Sequence, residues 1–118
     1  MNAKTHLEKA IALNPEFAEA YFELGVLLKS EGEIKNSIQN FQKAVSINND
    51  YAEAQCELAI ALSLDEDHEN ARNHFLNSLE INPNYAHAYF HYALLLIKIK
   101  DYEEAKNNFD KVTEINQN

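Results

Sequence analysis

His87 and His91 lie four residues apart, a spacing at which one helical face offers two imidazoles to a single metal ion. A carboxylate from Glu53 or Glu57 on a neighbouring helix is the candidate third donor, but no third ligand follows at ligand spacing. The pair suits the polar wall of a groove better than a metal, so neither a metal nor a cofactor is expected. His68 and His74 fall on a different helix and are expected at the surface. Cys56 is the only cysteine and has Glu53 and Glu57 beside it. Nearby carboxylates raise a thiol pKa, the opposite of what a nucleophile needs. The chain has no glycine-rich phosphate loop and no serine elbow, and no histidine stands close in register to the cysteine. Carboxylates are abundant, yet open helical faces supply no enclosed pocket to tune them. The reactive side chains argue against an enzyme.

Composition narrows the class further. At 118 residues there is room for one compact domain or one short solenoid. Two prolines and two glycines argue against a turn-rich β fold, and a hydrophobic content of 46% argues against disorder. The longest apolar run, Ala93 to Ile97, falls far short of the roughly 20 residues that span a bilayer. Met1 to Glu8 lacks a hydrophobic signal core. A lone cysteine excludes an internal disulfide and fits a reducing compartment, so a cytoplasmic location is the expectation. The net charge is -9, and residues 16–69 set twelve acids against Lys29, Lys35 and Lys43. The whole excess therefore sits in the middle of the chain. That field repels phosphate backbones, which excludes nucleic acid as a partner and favours a basic protein segment.

The element that must position these groups is a repeat of 34 residues. Asn14-Pro15 recurs as Asn48-Asn49 and Asn82-Pro83, followed in step by Phe17, Tyr51 and Tyr85. Ala18-x-Ala20, Ala52-x-Ala54 and Ala86-x-Ala88 come next. Phe41, Phe75 and Phe109 keep the same interval, as do Leu13, Ile47, Ile81 and Ile115. Within each unit the apolar residues recur at helical spacing, and the breaks predict helices over 2–13, 17–30, 34–47, 51–64, 68–81, 85–98 and 102–115. Gly25, Ala59 and Ala93 share one register and Ser37, Ala71 and Ala105 another; small residues there let helices approach. Asn14 and Asn82 are expected to cap the helices that follow them, with Pro15 and Pro83 in the first turn.

Tyr21, Leu24, Gly25, Leu28, Ser37, Phe41, Ala44 and Asn49 follow a spaced pattern that resembles the tetratricopeptide repeat family. It continues in Gln55, Leu58, Ala59, Leu62, Ala71, Phe75, Ser78 and Pro83, then in Tyr89, Tyr92, Ala93, Leu96, Ala105, Phe109, Val112 and Gln117. Gln55 replaces the usual aromatic, and Val112 the usual alanine. The resemblance covers a half repeat at 1–17 and units at 18–51, 52–85 and 86–118. It implies an all-α, right-handed superhelical stack of antiparallel helix hairpins with seven helices. It also implies that the first helix of each hairpin lines a concave wall. That wall would carry Glu19, Phe22, Glu23, Val26 and Lys29, then Glu53, Cys56, Glu57, Ile60 and Ser63, then His87, Phe90, His91, Leu94 and Ile97. The carboxylates and the apolar floor together suit a peptide with basic residues flanking apolar anchors. A family subgroup that clamps chaperone tails uses lysine, asparagine and arginine where this chain has Phe22, Val26, Glu57, His87 and His91, so that clamp is missing.

The expected function is therefore a non-catalytic scaffold that holds a protein or peptide segment on its concave face. The alternatives are an assembly module and the recognition arm of a larger enzyme. Assembly would run through Tyr102, Phe109 and Val112, which no later helix covers, giving a homo-oligomer through the ends. The uncovered ends are also expected of a segment cut from a longer protein, the account that the entry in mid-unit favours.

Overall fold

The computed structural model describes residues 2–117, and among them the regular structure is entirely helical. The helices are α1 (Ala3–Leu13), α2 (Ala18–Ser30), α3 (Ile34–Ile47), α4 (Ala52–Leu64), α5 (His68–Ile81), α6 (Ala86–Lys98) and α7 (Tyr102–Asn116). Each agrees with the expected range to within a residue at either end. Three antiparallel hairpins, α2–α3, α4–α5 and α6–α7, stack side by side, with α1 against α2. Contacts between hairpins run from α3 to α4 and from α5 to α6, and α4 also touches α2 and α6. The stack measures 46 × 30 × 23 Å.

The same backbone device closes every hairpin. Gly32, Glu66 and Lys100, again 34 residues apart, all have positive φ, at 83°, 64° and 67°. Around the first, the Gly32 amide donates to the Lys29 carbonyl at 3.0 Å and the Glu33 amide to Leu28 at 2.9 Å. Asp67 to Leu62 at 2.9 Å and Asp101 to Leu96 at 2.8 Å repeat the outer bond. This left-handed stop uses up carbonyls that the helix end leaves unpaired. Glycine takes that conformation without cost, whereas an L side chain pays about 1–2 kcal/mol for it. Lys100→Gly is therefore expected to stabilise the chain by about 0.5–1 kcal/mol, after the added freedom of the unfolded chain is subtracted. Thermal unfolding should show a melting temperature a few degrees higher; an unchanged or lower one would contradict the account.

Between hairpins the turn is set differently from expectation. Asn14 and Asn82 do not cap the helices that follow; each ends the helix before it. The Asn14 side chain accepts from the Glu16 amide at 3.2 Å, Asn48 from Asp50 at 3.1 Å and Asn82 from Asn84 at 3.2 Å. Pro15 and Pro83 then occupy the second turn position, where a fixed φ is favourable, rather than the first helical turn. Phe17, Tyr51 and Tyr85 become the residues that open α2, α4 and α6.

The core follows the repeated register. Phe41 and Phe75 are fully enclosed, as are Leu58, Leu95 and Leu96. Phe75 stacks on Tyr92 with ring centroids 5.5 Å apart, tying the second hairpin to the third. A Cβ at Gly25 would stand 2.6 Å from the Phe41 ring, so this crossing is closed to any side chain unless the ring moves. Ser78, in the register of Ala44, is buried because its hydroxyl donates to the Ala52 carbonyl at 2.8 Å. Polar clasps join neighbouring hairpins at the rim. Arg72 of α5 reaches Glu104 of α7 at 3.3 Å, and within the third hairpin the Tyr92 hydroxyl donates to the same carboxylate at 3.2 Å.

Candidate functional site

The first helices of the hairpins, α2, α4 and α6, bring two kinds of surface together. Glu19 and Glu23 on α2 and Glu53 on α4 stand exposed around the start of α4. Their proximity shows in Tyr51, whose hydroxyl is pushed up to about 12 by burial and then by Glu19, Glu53 and Glu23. Glu57 belongs to a different arrangement: Lys29 holds it at 2.8 Å in a half-buried ion pair between α2 and α4. The carboxylate patch therefore consists of three free acids and a fourth already neutralised.

Further along, Ile60 and Leu64 of α4 face Leu94 of α6 across a mainly apolar cleft, with His91 and Lys98 at its edges. The Lys98 ammonium donates to the Ser63 carbonyl at 3.3 Å, leaving the cleft itself apolar. His87 and His91 meet edge to face, with ring centroids 4.4 Å apart. Burial lowers the His91 pKa and His87 lowers it further, against the pull of Glu57, so His91 is neutral near pH 7. Among the described residues no group of three metal-ligating side chains converges, here or elsewhere.

Several side chains expected on the wall are packed into it instead. Cys56 is 0% exposed, and its thiol is pushed up to about 12 by burial and by Glu57. Phe22 is half-buried, with its ring 6.0 Å from Phe41 and 5.1 Å from Tyr51, and Val26 packs beside it on the core. Phe90 remains exposed, yet its ring leans edge-on against Phe109 at 5.9 Å. At the end of the stack Tyr102 is 62% exposed, while Phe109 and Val112 are half-buried.

His74 was expected at the surface and is half-buried. Its Nδ1 lies 2.7 Å from the Gln55 Oε1, and burial lowers its pKa. The signal for it was Gln55 itself. An amide in a slot otherwise held by Tyr21 and Tyr89 needs a polar partner from the packed helix opposite. His68 is also only partly exposed, with its Nε2 3.1 Å from Glu66.

Helix hairpins stacked in this way define a repeat scaffold. Three family profiles agree: TPR repeat over residues 27–65, and two described as tetratricopeptide repeat over 62–118 and 6–39. The chain belongs to the tetratricopeptide repeat family. Among solved structures it is similar to two crystal structures of MamA at 27% identity, with TM-scores of 0.88 and 0.86. They match over 98% of this chain and 67% and 63% of theirs. A MamA from Desulfovibrio magneticus RS-1, starting at its residue 41, shares the fold at 22% identity and TM-score 0.88, over 98% of this chain and 65% of that one. The chain thus spans about two thirds of the length of these relatives. No curated protein matches. Family and neighbours support a protein-interaction scaffold in general terms, and no described helix is long and apolar enough to cross a membrane.

Proposed function

We propose that the chain is a non-catalytic scaffold whose inner wall takes a peptide segment with basic residues at one end and a leucine-sized apolar anchor at the other. The observation that carries this reading is the division of the wall. Glu19, Glu23 and Glu53 cluster at the start of α4, whereas Ile60, Leu64 and Leu94 form an apolar cleft further along α4 and α6. Complementary charge selects and orients a partner, and the apolar anchor supplies most of the affinity. His91, neutral beside the cleft, adds polar edge without a fixed charge.

Selection of binders from a random peptide display library tests this directly. The expected consensus is one or more lysines or arginines separated from a leucine-sized residue. Binding of such a peptide should weaken about tenfold in the Glu23→Lys, Glu53→Lys double variant, and weaken with added salt, while helicity is unchanged. An acidic or glycine-rich consensus, or affinity indifferent to the double charge reversal, would place recognition on another surface.

A further inference from the structure

A tyrosine and a lysine occupy matching positions in the first unit and in the last, and the middle unit has neither. Lys43 stands 6.0 Å over the Tyr21 ring. In the last unit Tyr89 and Lys111 line one groove. There the Tyr89 hydroxyl donates to the Pro83 carbonyl at 2.9 Å, and the Lys111 ammonium lies 3.8 Å from Glu114. The positions of Tyr89, Lys111 and Glu114 are held in the middle unit by Gln55, Asn77 and Glu80. A hollow of about 460 Å³ opens at those residues, between the turn before α4 and the last turns of α5. A hairpin lies on either side of this unit, so the hollow belongs to the middle of the stack and not to an end.

The hollow is lined by Asn49, Asp50, Gln55, Asn77, Glu80 and Ile81, and no lysine or arginine among the described residues borders it. Gln55 forms the floor at 7% exposure, below a rim of exposed asparagines and carboxylates. Its Oε1 accepts from the His74 Nδ1 at 2.7 Å, while its NH2 group has no hydrogen-bond partner among the described residues. A buried amide is ordinarily satisfied on both sides, so this one meets the hollow as a donor without an acceptor. Asp50 and Glu80 form no ion pair among the described residues, because Asn77 stands where Lys111 answers Glu114 in the last unit. The lining therefore combines one enclosed donor with two carboxylates that nothing neutralises.

We propose that this hollow binds a small hydroxyl-rich amine, the chemistry of an amino sugar. The ligand supplies what the side chains of the other units supply for themselves: an ammonium in place of the lysine and a hydroxyl in place of the tyrosine. The ammonium pairs with Glu80 and Asp50, as Lys111 does with Glu114. A hydroxyl oxygen accepts from the Gln55 NH2, and its proton is donated to an asparagine oxygen of the rim, because a hydroxyl serves as donor and acceptor at once. A guanidinium or a bare lysine side chain matches the carboxylates but has no acceptor for Gln55. An aromatic amine fits poorly as well, since five of the six lining residues are polar and Ile81 alone offers an apolar surface. The site shares no residue with the inner wall.

Glucosamine is the probe, titrated into the nitrogen-15-labelled full chain and followed by amide resonances. Saturable shifts are expected at the Gln55 side-chain NH2 and along residues 49–55 and 77–81. Glucose, which lacks the ammonium, and glycinamide, which lacks the hydroxyls, should each bind about tenfold more weakly. Glu80→Gln should weaken glucosamine to a similar degree, and Glu23→Lys on the inner wall should leave it unchanged. The double variant Gln55→Tyr, His74→Asn gives the middle unit the residues of the last one, Tyr89 and Asn108, and should abolish the shifts while circular dichroism shows the helices intact. Absence of a saturable shift at the Gln55 side chain overturns the proposal. Binding that survives the double variant, or that ignores Glu80→Gln, overturns it too. Glucose binding as tightly as glucosamine would remove the need for a cation, and glycinamide or tyramine binding as tightly would assign the hollow to another class of amine. Each of those results also overturns it.

Discussion

Phe75→Ala is expected to lower unfolding free energy by about 3–5 kcal/mol, a large share of what a domain of this size possesses. Phe75 is 1% exposed and stacks on Tyr92, so its removal leaves a cavity at the junction of the second and third hairpins. Neighbouring side chains cannot collapse into it readily, because Ala71 and Ala105 are small and the helices beside them are already in contact. A stack in which each hairpin touches only its neighbours also has no second route of coupling across that junction. Urea unfolding of the variant should therefore show a much lower midpoint and a shallower slope as the ends of the stack uncouple. A midpoint shift equivalent to less than about 1 kcal/mol would mean that the junction is not where the stack is held together.

Cys56 offers the second large effect. The native chain is expected to react with a bulky disulfide reagent at least about a thousandfold more slowly than the urea-unfolded chain. Two causes act together. The side chain is wholly enclosed in the core, and burial with Glu57 nearby pushes the thiol up to about 12, so the reactive thiolate is scarce. Reaction must then wait for opening of the stack, and the rate follows the stability of the hairpins that cover the site. Phe75→Ala should accelerate it in proportion to the stability lost. A native rate within about tenfold of the unfolded rate would show that the wall opens without unfolding.

The two experiments probe one core cluster, in which Cys56 and Phe75 occupy in the middle unit the positions of Phe22 and Phe41 in the first. Internal positions are closed because a next hairpin lies over them. The equivalent pair in the last unit is Phe90 with Phe109, and there the covering helix is missing from the described residues.

The all-α class, the seven helices, their near-exact bounds and the family were legible in the sequence. They depend on the 34-residue interval between apolar and small residues, and helical periodicity is a local property that each segment carries by itself. Gly25 and Phe41 each follow the repeat, but that they meet, with a Cβ at Gly25 standing 2.6 Å from the ring, is shown by the structure. Turn chemistry was less legible: asparagine before proline can begin a helix or a turn, and only the hydrogen bonds from Glu16 and Asn84 decide for the turn. Tertiary structure alone decided which side chains of α2, α4 and α6 remain available. Cys56 is enclosed, Glu57 is bound to Lys29, Phe22 lies under Tyr51 and His74 turns inward to Gln55. The physical reason is that exposure along a solenoid is set by the neighbouring repeat. Residues with the same position in the period differ in fate according to what packs over them, and that partner lies some thirty residues away in the chain, beyond the reach of local spacing.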